Sequence, residues 1–261
     1  MDFQFEKYQG AGNDFIIIDD RKENFPDQDH SLIQKHCDRH FGIGADGLIL
    51  VRDSDRSDFK MLYFNADGHP SSLCGNGSRC VFAFANKHQM IGNEGTFETS
   101  DGIHRGSLTP DDLICIEMGD LLTIEKRGSA IFMDTGSPHH IEFVDQVSAI
   151  DVKTQGAAIR YGAPYFETGS NANFVEKVNE KEFNIRTYER GVEDETLACG
   201  TGAVAAAIGA HFSGQTPLDM VNINALGGCL QVSFTPDSGQ YKNILLIGPA
   251  TYVFSGNLTT E

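Results

Sequence analysis

Cys74-Gly75-Asn76-Gly77-Ser78-Arg79-Cys80-Val81-Phe82-Ala83-Phe84-Ala85 decides how this chain folds. A second stretch, Cys199-Gly200-Thr201-Gly202-Ala203-Val204-Ala205-Ala206-Ala207-Ile208, repeats its plan 125 positions later. In each, a cysteine and a Gly-x-Gly turn hand over to a run that is apolar on nearly every side, which reads as a buried helix. The cysteine then sits at a helix N-terminus, where backbone N–H groups lack intrahelical acceptors and the peptide dipoles leave partial positive charge. Such a position favours thiolate over thiol and binds anions. Two of them point to two thiols acting on one small anionic substrate.

Other offsets agree with a duplication. Asn65 and Arg190 are also 125 apart, each at a strand end nine residues before its cysteine. Gly12-Asn13 and Gly136-Ser137 lie 124 apart, each beside a strand-like run. Short β-rich runs punctuated by Gly, Asp and Asn recur at 15–18, 48–51, 59–64, 113–117, 183–187, 221–225, 230–234 and 244–247. Ser31 is expected to N-cap a helix running to His40. Many strands and one buried helix per half give an α+β fold, a sheet wrapped around a central helix and built twice. The boundary falls near Met118-Gly119-Asp120.

Composition narrows the function. The 261 residues carry 20 Lys and Arg against 37 Asp and Glu, a net charge of −17. That excludes nucleic acid and acidic membrane surfaces as partners, because phosphate contacts need clustered cations. No apolar run is long enough to span a bilayer. Met1 to Gly10 carries Asp2 and Glu6 and does not read as a signal peptide. The six cysteines include no Cys-x-x-Cys pair, so neither a disulfide framework nor a zinc ribbon is expected, and the chain reads as cytoplasmic. Cys37, Cys80, Cys115 and Cys229 read as small buried hydrophobes.

Two matched thiols suit one symmetric task. A thiolate removes a proton from a carbon while the other thiol delivers one to the opposite face, which inverts a stereocentre. Two helix N-termini aimed at an adjacent carboxylate would stabilise the developing carbanion. Closure of two domains around the ligand would exclude water.

At this point the ordered motifs resemble the diaminopimelate epimerase family. They are Gly12-Asn13-Asp14-Phe15, Gly42-Ile43-Gly44-Ala45-Asp46-Gly47, Phe64-Asn65-Ala66-Asp67-Gly68, Cys74 to Cys80, Gly136-Ser137-Pro138-His139, Asn171, Tyr188-Glu189-Arg190-Gly191 and Glu195 to Gly202. They run in family order over almost the whole chain. The resemblance implies two pseudo-symmetric domains, each a mainly antiparallel sheet or barrel around a central helix. Residues 1–117 with 250–261 would carry Cys74, and residues 118–249 would carry Cys199, with the active site in the cleft between them. Cys74 and Cys199 would be the acid and base, and His139 and Glu189 would tune them. Gly75, Asn76, Gly200 and Thr201 would hold the α-carboxylate through backbone N–H groups. Asn13, Asn65, Asn171, Glu189 and Arg190 would fix the remaining groups, Arg190 through a bidentate carboxylate contact. The family implies a homodimer acting on diaminopimelate, in lysine and peptidoglycan precursor synthesis, with no cofactor and no metal.

The chain departs from that pattern in places. Many members carry Asn at the place of Ser137 and Gln at the place of Gly47. The loop from Arg190 to Cys199 is one residue longer than the commoner form. Two rival readings follow. A proline or hydroxyproline racemase of the same two-cysteine type normally carries His after the first Cys-Gly, where this chain has Asn76. A non-catalytic thiol-redox or ligand-binding protein leaves both Gly-x-Gly turns unexplained.

Overall fold

A computed structural model describes residues 1–71 and 74–260. The chain divides into two compact units, Met1–Ile116 with Pro249–Glu261, and Glu117–Gly248.

The first unit runs β1 (Asp2–Gly10), β2 (Asn13–Asp19), α1 (His30–Cys37), β3 (Gly47–Arg52), β4 (Phe59–Asn65), α2 (Gly75–Lys87), β5 (Glu94–Thr99), β6 (Gly102–Leu108) and the start of β7 (Ile114–Met118), whose last two residues fall in the second unit. The second runs β8 (Glu125–Arg127), β9 (Ala130–Asp134), β10 (Pro138–Phe143), α3 (Val152–Tyr161), β11 (Asn171–Lys177), β12 (Glu182–Glu189), β13 (Asp194–Thr196), α4 (Gly200–Phe212), β14 (Met220–Ala225), β15 (Gly228–Asp237) and β16 (Gln240–Gly248). The last strand, β17 (Thr251–Thr259), returns to the first unit and pairs antiparallel with β1.

Both units follow one plan. In the first, β1–β2 and β3–β4 are antiparallel, while β2–β3 and β4–β5 are parallel across α1 and α2. In the second, β9–β10 and β11–β12 are antiparallel, while β10–β11 and β12–β14 are parallel across α3 and α4. A parallel neighbour needs a crossover connection, and each unit supplies it with a helix. The hairpins entering β2 and β10 turn at Gly12 (φ +86°) and Gly136 (φ +101°), conformations that side chains other than glycine rarely adopt.

Both central helices are buried: α4 because its sequence leaves almost no polar face, α2 with Asn76, Ser78 and Arg79 taken inside along with its apolar residues. Every residue of α4 from Gly200 to Ala210 is buried, and the helix touches strands β9 to β12 and β14 to β16. α2 is buried from Gly75 to Phe82 against β1, β2 and β3. Each fully buried aliphatic or aromatic side chain contributes about 1.5–3 kcal/mol.

Two expectations are corrected. The first helix is capped by Asp29, not Ser31: the Asp29 carboxylate accepts from Leu32 N, and Ser31 Oγ donates to the same oxygen. It stops at Cys37 because the Asp38 carboxylate captures the N–H groups of His40 and Phe41. Cys229 is exposed, since Leu230, Val232 and Phe234 take the inward positions of β15. The sequence reading also passed over α3. Its Gly156 lowers helix propensity, but an added Cβ there would lie 2.3 Å from Tyr188 Cβ, so the helix needs glycine to reach β12.

Candidate active site

Cys74 is the N-cap of α2, with φ −110° and ψ 113°. Its sulfur accepts from Gly77 N at 3.4 Å, and the first intrahelical bond runs from Ser78 N to Cys74 O at 2.7 Å. The helix start and that N–H favour negative charge on sulfur. Asn13, the first residue of β2, presents its Oδ1 3.7 Å from Cys74 Sγ and accepts from Asn76 Nδ2 at 3.3 Å. Asn13 Nδ2 donates to Asp46 Oδ2 at 2.6 Å. A carboxylate only accepts, so Asp46 fixes which end of the Asn13 amide meets the thiol.

Asp46 is itself anchored. Arg39 reaches Asp46 at 2.8 Å and Asp14 at 2.6 Å, and the buried Lys7 reaches Asp14 at 2.6 Å. Burial pushes the Asp14 carboxyl up, but Arg39 and Lys7 outweigh it and hold that carboxyl below its usual range. Asn65 stands exposed at the end of β4, in a turn closed by Gly68 N to Asn65 O at 2.9 Å. The space that a side chain at Gly47 would need is taken by Tyr63: an added Cβ would lie 2.5 Å from Tyr63 Cε2 and from Phe64 O.

Cys199 caps α4 with φ −110° and ψ 115°, so the two cysteines share one backbone conformation. Their surroundings differ. Cys199 Sγ lies 3.4 Å from Thr201 Oγ1, which lies 2.9 Å from His139 Nε2. His139 therefore reaches the sulfur through Thr201. Its ring is fully buried, and that burial pushes its pKa down to about 3, so the imidazole is neutral. His139 Nδ1 faces Asn173 Nδ2 at 3.1 Å.

Asn171 joins three segments: Nδ2 donates to Pro138 O at 3.1 Å and Oδ1 accepts from Arg190 N at 2.8 Å. Arg190 Nη1 donates to Thr168 O at 2.8 Å. Glu189 ends β12 and accepts a short hydrogen bond from Thr196 Oγ1. The second unit thus gathers His139, Asn171, Glu189, Arg190, Cys199, Gly200 and Thr201, while the first gathers Asn13, Gly75, Asn76 and Cys74, with Asn65 on the adjoining strand. Among the described residues no group of three or more His, Cys, Asp or Glu is placed to hold a metal ion. No helix among them is long and apolar enough to cross a membrane.

Sequence reading missed Asp46 and Asn173. Asp46 lay inside the motif Gly42 to Gly47 and was given no role of its own. Asn173 sits two residues after Asn171 and so shares its face of β11, a period-2 signal that was available.

The model of the diaminopimelate epimerase family matches residues 5–123 and 131–253. The diaminopimelate epimerase of Flavobacterium psychrophilum is 51% identical over 248 residues, covering 95% of this chain and 97% of that protein. The diaminopimelate epimerase of Aquifex aeolicus is 38% identical, covering 99% and 98%. Among solved structures, a PhzF-family phenazine biosynthesis protein of Bacillus anthracis superposes with a TM-score of 0.79 at 15% identity, each chain covered to 99%. A hydroxyproline epimerase of Agrobacterium vitis superposes at 0.69 with 14% identity, covering 98% of this chain and 92% of that one. At such identities these two show a common fold. The full-length match and the high identity to the Flavobacterium protein decide the family: this chain belongs to the diaminopimelate epimerases.

Proposed function

We propose that this protein is an isomerase that interconverts L,L- and meso-diaminopimelate, a step in lysine and peptidoglycan precursor synthesis. Family membership supports the substrate. The observation that carries the chemistry is the paired cysteine N-cap, the same conformation at the start of two buried helices in two units of the same plan. In one direction the Cys199 thiolate takes the α-proton and the Cys74 thiol gives its own proton to the opposite face of the same carbon. Cys199 ends as thiol and Cys74 as thiolate, and the return reaction reverses the roles. The negative charge that develops next to the α-carboxylate is met by the amides at the starts of α2 and α4.

Asn13, Asn65, Asn171, Glu189 and Arg190 would bind the substrate's amino and carboxylate groups. The finer expectations, a homodimer in the cytoplasm, rest on the family; the exposed run Tyr252, Val253 and Phe254 on β17 is consistent with a covered surface. Incubation with L,L-diaminopimelate in D2O tests the reaction. Deuterium should enter the α-carbon as meso product forms, and Cys74→Ala and Cys199→Ala should each abolish inversion. Inversion at the normal rate by either variant would refute the two-thiol reading.

A further inference from the structure

Arg79 stands on the second turn of α2 and is fully buried. Burying a guanidinium is costly, and such groups are normally paired with an anion. Among the described residues Arg79 meets no carboxylate. Its donors go to three neutral oxygens: Nη1 to Gly75 O at 3.2 Å, Nη2 to Asn76 Oδ1 at 2.7 Å, and Nε to Pro249 O at 3.3 Å. Gly75 and Asn76 are the two residues that follow Cys74. The cation thus braces the residues whose amides are to hold an anion, and does so from inside the helix.

The corresponding place in the second unit, five residues after Cys199, holds Val204, also fully buried. There the polar support comes from the sheet, through His139 and Asn173. The places of these two in the first unit, by strand register, are taken by the apolar Phe15 and Ile49. One helix start is therefore supported by a permanent charge and the other by neutral groups.

We propose that Arg79 is a positioning residue for Cys74, a buried cation whose counter-charge is supplied by the chemistry of the site. Two titratable groups feel it, Cys74 and Cys80 on its own helix. Facing Cys80 are Asp14 of β2 and Tyr8 of β1, the former tied to Lys7 and Arg39. Burial pushes the Cys80 thiol far up, so Cys80 stays neutral. Cys74 is half-buried and is left as the thiol that can carry the anion. Asn13 Oδ1 favours its protonated form, while Arg79 and Gly77 N–H favour the thiolate left after it gives up its proton. A residue that must be acid in one direction and base in the other needs both influences.

This inference deepens the proposed reaction and rests on it for its meaning, but its test needs no substrate. The reduced full-length protein is alkylated with iodoacetamide across a pH series, and modification at Cys74 and at Cys199 is read separately by peptide mass spectrometry. Arg79→Met should raise the midpoint for Cys74 by about one pH unit or more and leave that for Cys199 in place. Arg79→Lys, which keeps the charge and loses donors, should hold the Cys74 midpoint near its normal value. A folded Arg79→Met protein with an unchanged Cys74 profile would overturn the proposal, as would midpoints of both cysteines rising together. Should Arg79→Met fail to fold, Arg79→Lys decides alone: a Cys74 midpoint that rises in it refutes the role of the charge. Absence of diaminopimelate turnover with the expected alkylation shifts would instead count against the reaction and leave the role of Arg79 standing.

Discussion

Asn173 determines which nitrogen of His139 carries the proton. Asn173 Nδ2 lies 2.9 Å from His140 O and 3.1 Å from His139 Nδ1, and Thr187 Oγ1 donates to Asn173 Oδ1 at 3.0 Å. A carbonyl only accepts, so the amide atom facing His140 O is the nitrogen, and its second hydrogen goes to Nδ1. The neutral ring then carries its proton on Nε2 and donates to Thr201 Oγ1. The hydroxyl has accepted one hydrogen bond and can aim its own proton at Cys199 Sγ, 3.4 Å away. Donation to sulfur favours the thiolate, whereas Cys74 faces the acceptor Asn13 Oδ1. The side chains that meet the two sulfurs of a duplicated scaffold thus differ in kind, a hydroxyl donor at Cys199 and an amide oxygen at Cys74.

Replacing Thr201 by valine keeps the shape and removes the hydroxyl. A hydrogen bond to a charged group is worth about 1.5–3 kcal/mol, equivalent to about one to two pH units. The alkylation midpoint of Cys199 should rise by that order in Thr201→Val, with the Cys74 profile unchanged. Because the amide of residue 201 remains, KM should change less than kcat. Equal profiles for the variant and the parent would show that the relay ends before the sulfur.

Asp46→Ala frees the Asn13 amide to turn. The ion pair lost with Arg39 is between half-exposed groups, and exposed pairs contribute about 0–1 kcal/mol, so the thermal midpoint should barely move. Turnover should fall by about ten- to a hundredfold, the usual result of a misplaced contact near the reacting atoms. Steady-state kinetics beside a melting curve separates the two effects. Loss of stability without loss of turnover would make Asp46 a structural residue.

The fold was legible where local pattern and tertiary role coincide. α2 and α4 announced themselves through the apolar runs 81–85 and 203–208 that follow their Cys-Gly turns, and a strand such as β3 because it is a continuous aliphatic run buried on both faces. β10, reading Pro-His-His-Ile-Glu-Phe, buries the polar His139 on the same face as Ile141, so its hydropathy lacks the alternation that marks a strand. β13 has three residues and exists because β12 offers an edge to pair with. At the site, the two cysteines and their turns are local and readable. Among the groups around them, Asn173 shares the face of Asn171 and could be read from that spacing, whereas Asp46 meets Asn13 only through the pairing of β2 with β3, which no spacing in the sequence reveals.

Gly47 illustrates how a family position is closed by its neighbours. An added Cβ meets Phe64 O and Tyr63 Cε2, both at 2.5 Å. Gly47→Ala should therefore destabilise the protein by about 1–3 kcal/mol, the common cost of overpacking, measured by urea denaturation. In a Tyr63→Ala background the cost should shrink, because one of the two obstructing groups is gone, though the Phe64 carbonyl remains. A double-mutant cycle gives the coupling directly. Additive costs would show that Tyr63 does not close this space.

Stability should fall on acidification before the carboxylates titrate. Burial lowers the pKa of His139 to about 3, and burial followed by the Arg127 charge lowers that of His140 to about 4, from an ordinary 6.5. In the unfolded chain both rings take up protons below about 6.5, while in the folded protein they stay neutral down to those values. Between them the unfolded state binds more protons, so stability is full above 6.5 and is lost as the pH falls toward 4. The slope is at most about 1.4 kcal/mol per pH unit for each ring. Urea midpoints measured from pH 7 to pH 4.5 should decline, and His139→Gln, which cannot titrate, should flatten the decline relative to its own value at pH 7. A midpoint that stays level over that window would mean that these imidazoles take up protons in the folded protein as readily as in the unfolded chain.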